Sequence, residues 1–175
     1  MSRIFGVGAL ILVSSLCAFG EQNTVPPAPV PAQITAAKRI FISNGGQETG
    51  RLDDFSGNQD RCYNQFYAAM KSWGRYELAT GPADADLVVV IGFANPPSSS
   101  VVSKGSSDFP FTDPRFTLTI FDPKTHFILW SFTEHAEPAR LQHNRDKNYD
   151  LALANIVDDL KQLSSGPAAS ESAKK

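Results

Sequence analysis

Three observations predict an α+β two-layer sandwich, a mixed sheet of about five strands with two helices on one face. Strand-like and helix-like patterning follow one another as strand, helix, four strands and helix. Two of those strands are joined by a tight turn, and the closing helix is strongly amphipathic. A mixed order containing a hairpin favours helices gathered on one side of a sheet over a doubly wound βαβ array.

Each element has a local reason. Lys38 to Ser43 (KRIFIS) is a β-branched and aromatic run that Asn44-Gly45-Gly46 is expected to stop. The Gly-, Asp- and Gln-rich stretch to Gln59 reads as a surface loop. Asp60 is placed to cap a helix whose residues Cys62, Phe66, Ala69, Met70 and Trp73 fall three and four apart, with Tyr63 and Tyr67 widening the face. Gly74 should end it, because glycine adopts the left-handed C′ conformation at least cost. Tyr76 to Thr80 is a second strand, and Gly81-Pro82 turns the chain through Asp84 and Asp86 into Leu87 to Phe93 (LVVVIGF). That run is apolar at every position but one, which predicts a central strand covered on both sides.

The stretch 94–113 is long, serine-rich and interrupted by prolines, and is expected to be disordered. Arg115 to Phe121 and His126 to Thr133 then flank Asp122-Pro123-Lys124-Thr125, where Pro123 presets φ for a turn. Phe116, Leu118 and Ile120 alternate with Thr117 and Thr119, so one hairpin face is buried. The partner strand carries Phe127, Ile128, Leu129, Trp130 and Phe132. After Pro138, Asn144 or Asn148 opens the last helix. It buries Tyr149, Ala152, Leu153, Ile156, Val157, Leu160 and Leu163 and turns Asp150, Asp158, Asp159 and Lys161 to water.

The ends read differently. In residues 1–20, Arg3 precedes an apolar stretch from Ile4 to Leu16, and Ala18-Phe19-Gly20 is a small-x-small site: the pattern of a secretory signal peptide. The apolar run is shorter than the roughly 20 residues needed to span a bilayer. Cys17 stands where a lipidated cysteine would, yet the large Leu16 before it departs from a lipobox, so release after Gly20 is preferred to a lipid anchor. The domain expectation is a signal peptide 1–20, a Pro/Ala-rich spacer 21–37, a folded unit 38–163 and a disordered tail 164–175. Localisation is then periplasmic or secreted.

Composition excludes some functions. The chain has 16 Lys and Arg against 18 Asp and Glu, and losing Arg3 leaves 15 against 18. No basic stripe appears, so nucleic-acid binding lacks electrostatic support. Cleavage would leave Cys62 as the lone thiol, without an intrachain disulfide partner.

No residue set amounts to a catalytic, cofactor or metal site. Asn44-Gly45-Gly46 follows a strand but runs on through Gln47-Glu48-Thr49-Gly50, without the Gly-Lys-Ser/Thr that opens a phosphate-loop helix. His126, His135 and His143 match no metal-ligand spacing. Glu134, His135 and Glu137 are read as the polar exit of a strand, and Asp53, Asp54, Asp84 and Asp86 lack calcium-loop spacing. Ser98 to Ser100 and Ser106-Ser107 sit in no nucleophile elbow. Cys62 beside Arg61 near a helix start could hold a thiolate, but its register with Phe66 and Met70 makes it core.

Three segments, Phe66 to Leu78, Asp122 to Ala139 and Asn144 to Lys161, resemble a group of uncharacterised secreted bacterial proteins. The layout is also similar to the curli-secretion lipoprotein CsgG and the amino-terminal domain of TolB. That resemblance implies an envelope domain used for assembly or binding, and supplies no active-site residue. The leading expectation is a non-enzymatic exported interaction domain with an envelope protein partner. Its alternatives are a small hydrolase or metal-dependent enzyme using Glu134/His135 or Asp53/Asp54, and a homo-oligomeric structural component joined through sheet edges.

Overall fold

The computed structural model describes residues 28–48, 54–97 and 112–166. The fold is α+β: a mixed five-stranded sheet with helices packed against it. In chain order the elements are α1 (Ala32–Ala36), β1 (Arg39–Glu48), α2 (Arg61–Trp73), β2 (Glu77–Leu78), β3 (Leu87–Ala94), β4 (Arg115–Phe121), β5 (Ile128–His135) and α3 (Gln142–Ser165). The sheet order is β2-β1-β3-β4-β5. Strand β1 pairs parallel with β2 and β3, whereas β3–β4 and β4–β5 are antiparallel. The parallel pairs need crossovers, which α2 supplies; the hairpin needs none.

The core follows the period-2 and period-3.6 patterns. Ile40 and Ile42 of β1, Leu87, Val89, Ile91 and Phe93 of β3, and Phe116, Leu118 and Ile120 of β4 all point to the helices. Phe66 and Met70 of α2 meet them, as does the whole apolar set expected of α3. Phe93, Phe116 and Tyr149 stack mutually, with centroids 4.7–4.8 Å apart. Gly74 ends α2 in the left-handed region at φ 68°.

Several expectations need correction. Residues 21–37 are not spacer throughout: α1 forms after Pro31, and Ile34, fully buried, anchors it beneath α3. The glycines do not stop β1. The strand continues to Glu48 with an irregularity between Asn44 and Gln47, where Gly46 (φ 80°) donates its N–H to Asn44 Oδ1 at 2.9 Å. Asp60 precedes α2 but its carboxylate does not cap the helix; Oδ1 accepts Asn44 Nδ2 instead, at 3.2 Å. Strand β5 begins two residues late, because the turn extends to His126 (φ 61°), held by its N–H to the Asp122 carbonyl. Helix α3 runs from Gln142 to Ser165, longer at both ends than expected, and Ser164 is buried.

The largest correction concerns β3. Its burial alternates strictly: Leu87, Val89, Ile91 and Phe93 are buried, while Val88, Val90, Gly92 and Ala94 are only partly so. Among the described residues no helix lies on that second face. An apolar run on both sides therefore signals a central position in the sheet here, and not two covered faces.

Cys62 is 3 % exposed, and burial is the larger influence on its thiol, raising its pKa to about 12. A thiol reagent at pH 7.5 is accordingly expected to modify Cys62 only as fast as the fold opens, which peptide-level mass spectrometry with and without urea would read. Full labelling within minutes in native buffer would contradict its core placement.

Candidate functional site

The sheet face that carries no helix among the described residues is assembled by strand register. From β1 it receives Phe41 and Ser43, paired with Val88 and Val90 of β3. Across β4 those residues face Phe121 and Thr119, and Gly92 and Ala94 face Thr117 and Arg115. The outer row on β5 is Ile128, Ser131, Thr133 and His135. Two halves result. Phe41, Val88, Phe121 and Ile128 make an apolar half near the hairpin tip, and Ile128 is 62 % exposed. Thr117, Thr119, Ser131 and Thr133 make a hydroxyl half at the other end.

Glycines deepen the hydroxyl half. With no side chain at Gly45, Gly46 and Gly92, a trough of about 360 Å³ opens between β1 and β4, walled by Val90, Arg115 and Thr119. A Cβ on Gly45 would come within 2.9 Å of the Ile91 carbonyl oxygen, so the close approach of β1 to β3 requires glycine there. At the rim, Asp113 bridges Arg115 Nη1 (3.1 Å) and His135 Nδ1 (2.6 Å) through its two carboxylate oxygens. Asp113 itself is set by its N–H to the Pro96 carbonyl.

The residues considered for chemistry are dispersed. Glu134 and His135 leave opposite faces of β5: Glu134 Oε1 accepts Asn155 Nδ2 of α3 at 2.8 Å, while His135 joins the open-face rim. Glu137 offers its carbonyl to Asn148 Nδ2. His126 is at the hairpin tip and His143 in the first turn of α3. Among the described residues, no three His, Cys, Asp or Glu side chains are grouped to hold a metal ion. Asp54 accepts Asn95 Nδ2 at 3.3 Å. Asp53, Ser98 to Ser100 and Ser106-Ser107 lie outside the described residues.

Other polar residues serve the fold. Asp86 Oδ2 accepts the N–H groups of Lys38 and Arg39, each at 2.9 Å, and these bonds hold its carboxyl below the usual range while fixing the start of β1. Asp84 closes a single 3₁₀ turn, Pro82–Asp84. Arg61, noted in the sequence only as a neighbour of Cys62, proves central. It donates to Asp146 at 2.9 Å, to Asp150 at 2.7 Å and to the Ser56 carbonyl at 2.7 Å, and its guanidinium lies 4.2 Å from the Tyr149 ring centroid. The i, i+4 spacing of Asp146 and Asp150 was the available signal, but the distance from Arg61 hid the match.

No known protein family matches the chain, and no curated protein matches it. Similar solved structures include the PelC dodecamer from Paraburkholderia phytofirmans, 16 % identical over 78 % of this chain and 91 % of that one, with a TM-score of 0.42. A neuraminyllactose-binding hemagglutinin homolog from Helicobacter pylori is 13 % identical over 74 % and 84 %, TM-score 0.45. A DUF330 protein from Xanthomonas campestris is 11 % identical over 87 % and 97 %, TM-score 0.48. Among the described residues no helix is long and apolar enough to cross a membrane.

Proposed function

We propose that this chain is an exported, non-enzymatic interaction or assembly domain that binds a protein of the bacterial cell envelope through its bare sheet face. One observation carries the reading: a five-stranded sheet is sealed by helices on one side and, over the described residues, presents the other side uncovered, half apolar and half hydroxyl-bearing. Contiguous apolar surface rimmed by polar groups favours a protein partner. Export rests on the leader pattern of residues 1–20, and the layout likeness to CsgG and TolB domains belongs to the same proposal. Glu134 and His135, on opposite faces, do not form the acid–base pair that the hydrolase alternative needs.

The test is co-recovery of envelope proteins with the tagged chain, quantified by mass spectrometry. Thr117→Glu places an unpaired charge in the middle of the face without touching the core, and should reduce recovery of a specific partner by about tenfold or more, on the order of 1.4 kcal/mol. Gln162→Glu, on the exposed side of α3, should leave it unchanged. Equal recovery with all three proteins would overturn the reading.

A further inference from the structure

We infer that β5 pairs antiparallel with β5 of a second copy about a two-fold axis at Ser131, joining two five-stranded sheets into one of ten. The first support is the edge itself. Strand β5 is the outermost strand, eight residues long, whereas the opposite edge, β2, has only two. Natural sheets blunt such an edge with proline, lysine, a bulge or an inward-pointing charge. The segment ILWSFTEH has no proline, lysine or arginine; its irregularity near Leu129 and the helix-side Glu134 blunt the two ends and leave Trp130, Ser131, Phe132 and Thr133 as the open stretch, centred near Ser131.

Side chains then select a second copy as the occupant. On the helix side of the edge, Trp130 and Phe132 are only half-buried, with centroids 6.4 Å apart. Antiparallel pairing centred on Ser131 sets each Trp130 directly across from the other copy's Phe132, giving two aromatic cross-strand pairs. The two bare faces would become one continuous face, so self-association extends the proposed binding surface without depending on it.

Disulfide trapping tests the register. Across an antiparallel pair, directly opposed Cα atoms are about 4.5–5.5 Å apart, within the range a disulfide bridges. Ser131→Cys should therefore give an oxidised dimer of the full-length protein on a non-reducing gel. Thr133→Cys, whose own counterpart would lie about 13 Å away along the strand, should not. The wild type sets the baseline for the native thiols.

A strict monomer at millimolar concentration in sedimentation, or equal trapping of both cysteine variants, would overturn the inference. None of these results would bear on partner recovery through Thr117, so the two proposals fail separately.

Discussion

Tyr149→Ala is expected to lower the free energy of unfolding by about 3–5 kcal/mol, the range for removing a fully packed aromatic side chain. Tyr149 is 1 % exposed and joins three parts of the structure. Its ring contacts Phe93 of β3 and Phe116 of β4 edge-to-face, and Phe55 at 5.6 Å ties in the segment preceding α2. Arg61 covers the same ring. Alanine would remove the contact shared by α3, the two central strands and the start of α2, in a place where rigid strands cannot collapse into the void. Urea denaturation gives the value directly. Tyr149→Phe keeps the ring and removes a buried hydroxyl that has no hydrogen-bond partner among the described residues, so it should change stability by less than about 1 kcal/mol. Similar losses in the two variants would show that the hydroxyl, and not the packing, dominates.

The second large effect is acid sensitivity from Asp146. Desolvation acts to raise its pKa, but hydrogen bonds from Ser56, Arg61 and Gln142 outweigh it and hold the carboxyl well below the usual range. The Ser56 N–H and Arg61 Nη1 both reach Oδ1 at 2.9 Å, and Gln142 Nε2 reaches Oδ2 at 3.2 Å. A folded-state pKa below the unfolded value of about 3.9 means that the folded protein resists protonation at this site. Its contribution is complete above that unfolded value and is lost as pH falls through the lowered folded one. Stability should therefore decline from about pH 5 downward. Asp146→Asn should cost about 1.5–3 kcal/mol at pH 7, the scale of a charged hydrogen bond, and show a shallower decline below pH 5. Parallel acid limbs in urea titrations of the two proteins would contradict the assignment.

What could be read from the sequence was whatever one element states by itself. The alternation Phe116-Thr117-Leu118-Thr119-Ile120 and the helical spacing from Tyr149 to Leu163 each carry their burial pattern locally, and both are found as expected. The core position of Cys62 followed from the same spacing. Features requiring a partner element were hidden. Ile34 reads as a stray apolar residue in a proline-rich stretch until α3 is placed above it. Gly45 reads as a turn until β3 is seen passing too close for a Cβ. Val88 and Val90 read as core although, among the described residues, no helix covers their face, because β propensity in a central strand does not distinguish a covered face from a bare one. The face itself is scattered over four strands, with the Arg115–Asp113–His135 rim spread over 22 residues of sequence, so no short motif could announce it.

The central claim, that the bare sheet face receives a partner, is tested most directly by site-specific photo-crosslinking in the intact envelope. A photoreactive residue is placed in turn at Thr117, in the middle of the face, and at Gln162, on the exposed side of α3. The account predicts one discrete adduct from position 117, containing a second, different envelope protein by mass spectrometry, and none from position 162. Adducts from 162 with none from 117 would place binding on the helix layer and contradict it.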